Sequence, residues 1–192
     1  MNTLDFLSIS NAICPDRVCV VFEGNRYTYS QVNERSNRLA NALLGWGVKK
    51  GDRVAIIQVN CSQFLETYYA VAKVGAILVP LNFRAKADEL SYMLTNAEAV
   101  ALLVGERYVD MVNGMRPDTA SVRNYISIDG KAADMLYYED VLGSASPDDV
   151  TTEVNDEDTT ILMYTAGTTG RPKGVPLTHN SFSVYVLENV DP

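Results

Sequence analysis

Residues 159–181 read Thr-Thr-Ile-Leu-Met-Tyr-Thr-Ala-Gly-Thr-Thr-Gly-Arg-Pro-Lys-Gly-Val-Pro-Leu-Thr-His-Asn-Ser, and this stretch decides the fold. Its first part, Thr160–Tyr164, is a short apolar run that predicts a buried strand. The strand leads into residues Thr165–Gly174, which we call the glycine-rich segment. Beyond this segment, Gly174–Leu177 predicts a return strand, and Thr178 predicts the N-cap of a final helix.

The glycine-rich segment has the composition of an anion-binding loop. Its glycines, hydroxyl residues and lysine are Gly167, Gly170, Gly174, Thr165, Thr168, Thr169 and Lys173. Glycine allows backbone angles at which successive N–H groups converge on an anion, and no side chain blocks the approach. The threonines add hydroxyl donors, and the lysine adds one mobile positive charge, which suits a polyphosphate. The segment therefore predicts a polyphosphate site.

The segment is not a Walker A loop, which needs Gly-Lys-Ser/Thr in succession, whereas Lys173 stands between Pro172 and Gly174. Tyr164–Gly174 instead resembles the phosphate-loop signature of the adenylate-forming superfamily, which includes acyl-CoA synthetases, nonribosomal peptide adenylation domains and luciferases. A plain Thr/Gly-rich surface turn would not require the Pro-Lys-Gly ending. One departure is Ala166, where many members carry Ser. Residues Phe22–Val54 resemble the early region of the same superfamily.

The resemblance implies that a carboxylic acid attacks the α-phosphate of ATP to give an acyl-adenylate, whose acyl group many members pass to CoA. It places ATP phosphates on Thr165, Ala166, Gly167, Thr168, Thr169, Gly170, Lys173 and Gly174. Lys173 is the candidate catalytic residue, because it neutralises charge on the leaving pyrophosphate. Magnesium would bridge the phosphates and contact the Thr165 hydroxyl. The segment Pro80–Arg84 resembles one found in acyl-CoA synthetases and favours fatty or aryl acids as substrates.

Composition excludes several other classes of protein. With 47% hydrophobic and 21% charged residues, the 192-residue chain is globular and long enough to bury a sizeable core. A net charge of −8 argues against binding of nucleic acid or of an anionic membrane surface. The three cysteines show no metal-ligand spacing, the N-terminus shows no secretory signal, and no apolar run is long enough to span a membrane. We expect a soluble cytoplasmic protein.

The rest of the chain predicts an α/β fold, with a mostly parallel sheet and flanking crossover helices. A weak leading helix and a hairpin around Gly24-Asn25 come first. A helix opened by the capping box Thr28–Gln31 follows. Predicted strands and helices then alternate, at Arg53–Val59, Ser62–Lys73, Ala76–Leu81, from Asp88, Ala99–Val104, Glu106–Met115 and Asn124–Ile128. We divide the chain into an α/β part (1–143), an acidic linker (144–158) and a strand-turn-helix part (159–192). The resemblance makes the whole a part of the large N-terminal domain of an adenylate-forming enzyme.

Several conspicuous side chains have a simpler structural interpretation. The pair Tyr68-Tyr69 and the segment Tyr137–Leu142 are typical of core packing rather than of a binding site. Arg84 could contact a phosphate or CoA, but an ordinary solvated charge is the expectation. His179 is the one histidine of the sequence and therefore the one candidate general base. Adenylation needs no strong base, because the attacking carboxylate is already ionised at neutral pH, so a structural or ligand-facing role is the expectation.

Three functions stay open at this stage. In the superfamily, the adenine pocket, the hinge and the C-terminal catalytic lysine follow the phosphate loop, so the resemblance implies an N-terminal part of a CoA ligase with little or no activity alone. A nonribosomal peptide adenylation domain or a luciferase-like protein would use the same loop. A non-enzymatic partner subunit of a split synthetase is the third. Uncovered faces of a parallel sheet also predict self-association.

Overall fold

The computed structural model describes residues 2–150, 152–165 and 170–189, and the first range opens with a helix, a two-stranded hairpin and a longer helix. These elements are α1 (Thr3–Ile13), β1 (Val18–Phe22), β2 (Asn25–Thr28) and α2 (Tyr29–Gly45). As predicted, the Thr28 hydroxyl accepts a hydrogen bond from the Gln31 amide, and the Gln31 side chain accepts one from the Thr28 amide. A second capping box, between Asn2 and Asp5, starts α1 and was not predicted.

Strands and helices alternate from residue 53 onward, in the predicted order. They are β3 (Arg53–Ile57), α3 (Ser62–Val74), β4 (Ile77–Pro80), α4 (Ala87–Ala97), β5 (Ala99–Val104), α5 (Val109–Met115), β6 (Asn124–Ser127), β7 (Leu136–Tyr137), α6 (Tyr138–Ser144), β8 (Thr159–Thr165), β9 (Lys173–Thr178) and α7 (His179–Asn189). The strand β7 was not predicted, because two residues are too few to show a period.

Strands β3 to β9 form one sheet, with the order β7-β6-β5-β3-β4-β8-β9 among the described residues. Neighbouring strands are parallel from β7 to β8, and β8 and β9 are antiparallel. The prediction of a mostly parallel sheet with flanking helices is therefore confirmed. The antiparallel hairpin lies at one edge of the sheet and β7 lies at the other.

Both faces of the central strands β3 and β5 are buried under helices, as their continuous apolar runs predicted. Alternate residues of β3 enter different clusters: Ile56 packs with residues of α2 and α3, whereas Ala55 and Ile57 pack with residues of α4 and α5. The predicted packing roles of Tyr68 and of the segment at Tyr138 are confirmed, because both side chains belong to the first cluster.

The strand β3 is shorter than predicted, since it ends at Ile57 rather than Val59. Gln58 leaves the ladder, and its Nε2 donates to the two carboxylate oxygens of Asp129 at 2.9 and 2.7 Å. The same carboxylate accepts a hydrogen bond of 2.8 Å from the Glu106 amide. A long-range partner therefore ends a strand that its apolar pattern would have extended.

The predicted acidic linker, 144–158, is mostly exposed in its described residues, and yet hydrogen bonds hold it against the helices. Asn37 of α2 donates to the carbonyl of Pro147 at 3.0 Å and to the carboxylate of Asp149 at 2.8 Å. Lys50 bonds the Asp158 carboxylate at 2.6 Å, just before β8. These contacts determine where the chain enters the terminal hairpin.

Candidate functional site

The glycine-rich segment connects the two strands of the edge hairpin. Strands β8 and β9 are in register from Leu162 opposite Pro176 to Thr165 opposite Lys173, the last registered pair before the segment turns. The predicted strand and return strand on either side of the segment are therefore confirmed as strands. The expected burial of Thr160–Tyr164 is wrong, since Thr160 is its one buried residue and Met163 is exposed, because β8 lies next to the edge of the sheet. The segment follows the carboxyl end of β8. Because β8 runs parallel to β4, this is the side of the sheet on which β4 also ends.

Four of the predicted site residues lie in the described part of the segment. The structure brings Thr165 and Lys173 together, and the Thr165 hydroxyl donates to the Lys173 carbonyl at 3.4 Å. Gly170 has a φ of +127°, in the range that favours glycine, and a Cβ at this position would meet no atom of the described residues within 4 Å, chain neighbours aside. The other four predicted residues, Ala166, Gly167, Thr168 and Thr169, lie outside the described residues.

Gly174, the last predicted residue, is needed for packing within the hairpin. A Cβ at this position would lie 3.0 Å from Leu162 Cδ1 and 3.5 Å from Tyr164 Cζ. Its role in this structure is to let β9 lie close against side chains of β8.

Lys173 carries the charge of the site. Its side chain is exposed, and it forms no ion pair with any residue of the described ranges. By contrast, Lys50, Lys73 and Lys131 each lie within ion-pair distance of an aspartate. An unpaired ammonium group beside a glycine-rich turn is suited to an anionic ligand.

Helix α4 contacts Tyr164, just before the segment, and Arg171, within it. Sequence reasoning did not predict these contacts. The Tyr164 hydroxyl donates to Asn96 Oδ1 at 2.7 Å and to the Met93 carbonyl at 3.3 Å. The Arg171 guanidinium carbon lies 4.9 Å from the centre of the Tyr92 ring. No local pattern marks these residues, because α4 precedes the segment by about 70 positions.

His179 is the first residue of α7 and only 1% exposed. Its Nδ1 lies 2.7 Å from the Thr3 hydroxyl, which also accepts a hydrogen bond of 2.6 Å from the Tyr68 hydroxyl. Burial lowers the pKa of the imidazole. These contacts agree with a structural role rather than that of a base. As predicted, Thr178 caps α7, since its hydroxyl accepts from the Ser181 amide at 3.2 Å.

Other features of the described residues do not add to this site. The largest cavity, about 890 Å³, is lined by residues of α2, β7 and α6, toward the opposite edge of the sheet. Arg84 is exposed, and its guanidinium lies 5.2 Å from the Phe83 ring centre. In the described ranges, no cluster of three or more His, Cys, Asp or Glu side chains could hold a metal ion. None of the described helices has the length and apolarity to cross a bilayer.

The mostly parallel sheet thus ends in an edge hairpin that carries the glycine-rich segment and a lysine that pairs with no carboxylate of the described residues, an arrangement suited to the phosphates of a nucleotide. Comparison with known proteins agrees: residues 9–191 match the family described as AMP-binding enzyme, and this chain belongs to that family.

Individual relatives are CoA ligases. The chain is 36% identical over 185 residues to a 3-oxocholest-4-en-26-oate–CoA ligase of Rhodococcus rhodochrous, covering 93% of this chain and 33% of the relative. It is 33% identical over 174 residues to a crotonobetaine/carnitine–CoA ligase of Salmonella agona, covering 85% of this chain and 34% of the relative.

A solved structure of a CoA ligase has the same fold. The crystal structure of a putative long-chain-fatty-acid CoA ligase from Rhodopseudomonas palustris superposes with a TM-score of 0.88 at 31% identity, covering 98% of this chain and 48% of that chain. The fold is thus that of the N-terminal domain of adenylate-forming CoA ligases. The chain spans about a third of the length of the curated relatives it matches.

Proposed function

We propose that this chain supplies the polyphosphate-binding part of an ATP-dependent carboxylic acid–CoA ligase. The observation that carries the proposal is the glycine-rich segment, held between β8 and β9 with the Lys173 ammonium exposed and unpaired among the described residues. The CoA ligases among the relatives favour this reading over a nonribosomal peptide adenylation domain, a luciferase-like protein or a partner subunit. The acids in the names of these relatives, a steroid acid and a carnitine-type acid, differ too much to define the acid used here.

The proposed reaction has two steps. A carboxylate oxygen of the acid attacks the α-phosphorus of ATP, and the bond to the β-phosphate oxygen breaks, which releases pyrophosphate and leaves an acyl-adenylate. The sulfur of CoA then attacks the acyl carbonyl, AMP leaves, and the thiol proton passes to solvent. Catalysis of such steps depends on alignment and on neutralising the charge of the leaving group. The assay proposed below tests the expectation of little or no turnover by these 192 residues alone.

Within the first step, we assign the backbone N–H groups and hydroxyls of the glycine-rich segment to the β- and γ-phosphates. The Lys173 ammonium would neutralise the charge that develops on pyrophosphate, since no carboxylate of the described residues competes for it. Gly170, where a Cβ would meet no atom of the described residues within 4 Å, chain neighbours aside, would let a phosphate approach the backbone. The residues of 166–169 would complete the set.

Magnesium is part of this proposal. The Thr165 side chain is exposed and uses its hydroxyl hydrogen toward the Lys173 carbonyl, which leaves the oxygen lone pairs available as a single ligand. One hydroxyl ligand fits an ion that retains several waters and is otherwise held by substrate phosphates. When bound, the ion would neutralise phosphate charge. We place the reaction in the cytoplasm and in fatty acid metabolism as parts of the same proposal.

Self-association is a further part of the proposal. Large apolar side chains are exposed on the edge hairpin and on α7: Met163 (37%), Val175 (40%), Val184 (43%), Tyr185 (67%) and Leu187 (62%). Strand β9 also ends the sheet within the described residues and so presents an unpaired edge. An apolar surface beside an open strand edge favours pairing with a second copy.

Titration calorimetry of ATP and of pyrophosphate into the purified chain tests the function. We expect saturable binding that Lys173→Ala weakens roughly ten- to hundredfold, the effect of losing one charge-assisted contact. Lys131→Ala is the matched control, because Lys131 is also exposed but pairs with Asp140 and lines the opposite edge of the sheet. A chain that is folded by circular dichroism but binds neither ligand would contradict the proposal. Release of AMP in the presence of a carboxylic acid would contradict the expected inactivity of these residues alone.

A further inference from the structure

The registered pairing of β8 with β4 lies before the glycine-rich segment. In the described residues it consists of Leu78 opposite Ile161, and β9 has no neighbour beyond β8. Thr165, where the segment begins, lies four residues past that pair, or about 13 Å at the rise of an extended chain. Contacts outside the sheet would add support at the end of the hairpin that carries the segment.

Helix α4 supplies contacts at both ends of the segment. On the entering side, the Tyr164 hydroxyl donates to Asn96 Oδ1 at 2.7 Å and to the Met93 carbonyl at 3.3 Å. On the returning side, the Arg171 guanidinium carbon lies 4.9 Å from the Tyr92 ring centre, within the range of a cation–π contact. Tyr92 and Asn96 are four positions apart in one helix, so a single stripe of α4 makes both contacts.

Helix α4 is packed against the sheet. Its buried residues are Leu90, Met93, Leu94 and Ala97, and all four belong to the cluster that includes residues of β3 and β5. The Tyr164 side chain packs against the same cluster. Because Tyr164 and Arg171 are already held by a packed helix, ordering these two residues costs less entropy when a ligand binds.

We propose that Tyr92 and Asn96 are positioning residues, which fix Arg171 and Tyr164 and so set where the chain leaves β8 for the glycine-rich segment and where it returns to β9. This inference rests on the proposed function for the identity of the ligand but not for the anchoring itself. Neither residue touches the ligand; they act through Arg171 and Tyr164.

The anchoring is tested first without any nucleotide, by the rate at which trypsin cleaves the native chain after Lys173. Such cleavage follows the population of the opened segment. We expect Tyr92→Leu, which removes the aromatic face, and Asn96→Ala, which removes the acceptor, each to raise the rate about two- to tenfold. Tyr92→Phe keeps the ring and Asn96→Asp keeps an oxygen acceptor, so these matched controls are expected to cleave at close to the unmodified rate.

The effect on the site is tested by calorimetry with pyrophosphate on the same variants. Tyr92→Leu and Asn96→Ala are expected to weaken binding about two- to tenfold, whereas Tyr92→Phe and Asn96→Asp restore it. Tyr164→Phe combined with Asn96→Ala is expected to weaken binding no more than Tyr164→Phe alone, because Tyr164→Phe already removes the hydrogen bond to Asn96. Equal losses in the conservative and disruptive variants would overturn the inference, as would an unchanged cleavage rate. If the unmodified chain binds no pyrophosphate, the proposed function fails, and the cleavage rates still decide the anchoring.

Discussion

The Thr3 hydroxyl and His179 Nδ1 form a hydrogen bond of 2.7 Å across 176 positions of the chain, and it joins the first helix to the last. Thr3 also accepts from Tyr68, and Thr160 donates to Tyr68 at 3.4 Å, so the chain of bonds runs through α1, α3, β8 and α7. Since Thr3 accepts from Tyr68, its own hydrogen is available to donate to Nδ1 when the imidazole is neutral.

This arrangement predicts a pH-dependent stability. Burial lowers the pKa of His179, against the opposing effects of Asp158, Asp156 and Asp5, so the unfolded chain takes up a proton before the folded chain does. The free energy of unfolding should be fully retained above about pH 6.5 and should fall as the pH drops from there, by at most about 1.4 kcal/mol per pH unit.

Urea unfolding between pH 5 and 7 measures this dependence, and His179→Asn should flatten it. Measurements between pH 5 and 7 avoid the protonation of Asp158. The hydrogen bond from the Lys50 ammonium lowers the pKa of this carboxylate, so it protonates only near pH 4 and below. Identical slopes for the two proteins would show that His179 is not the responsible group.

A second prediction concerns a buried carboxylate. Glu66 is 1% exposed; one of its oxygens pairs with Arg35 Nε at 2.8 Å, and the other accepts from the Tyr138 hydroxyl at 2.8 Å. Arg35→Ala leaves this charge unpaired and should lower the free energy of unfolding by about 3–5 kcal/mol. Chemical denaturation provides the measurement. Adding Glu66→Gln should recover part of the loss, and Lys131→Ala, at an exposed pair, should change the free energy of unfolding far less than Arg35→Ala does.

A third prediction concerns Gly105, which follows β5. A Cβ here would lie 2.4 Å from Gln58 Oε1, so Gly105→Ala displaces the amide that bonds Asp129. Thermal and urea unfolding should show a loss of about 1–3 kcal/mol. Gly114→Ala in α5 is the control, since nothing lies within 4 Å of the added methyl group and alanine favours the helix, with an expected gain of about 0.5–1 kcal/mol. A neutral Gly105→Ala would mean that Gln58 moves at no cost.

A fourth prediction tests the proposed self-association. Val175→Lys places a charge on the exposed face of the edge strand β9 and should shift the chain toward monomer in light scattering coupled to size exclusion. Val21→Lys, on the separate N-terminal hairpin and 54% exposed, should leave the mass unchanged. A monomeric unmodified chain at the highest workable concentration would contradict the proposal.

Local patterns predicted most of the elements and the centre of the site. The capping box at Thr28, the apolar runs of β3 and β5, and the strand-turn-strand around the glycine-rich segment depend on neighbours within a few residues. The end of β3 was predicted two residues late, because a partner 71 positions away draws Gln58 out of the ladder. Sequence reasoning likewise missed Tyr92 and Asn96, since their partners are in β8 and in the glycine-rich segment.

The sequence by itself determined the order and type of most elements, the α/β class and the composition that predicts an anion site in the glycine-rich segment, because each follows from local backbone preferences and short-range periodicity. Only the tertiary structure decided that α4 contacts Tyr164 and Arg171, that the acidic linker is bound to α2, and that His179 is buried against Thr3. Those contacts join residues far apart in the chain, and they form only when burial of the sheet's two faces has brought the helices together.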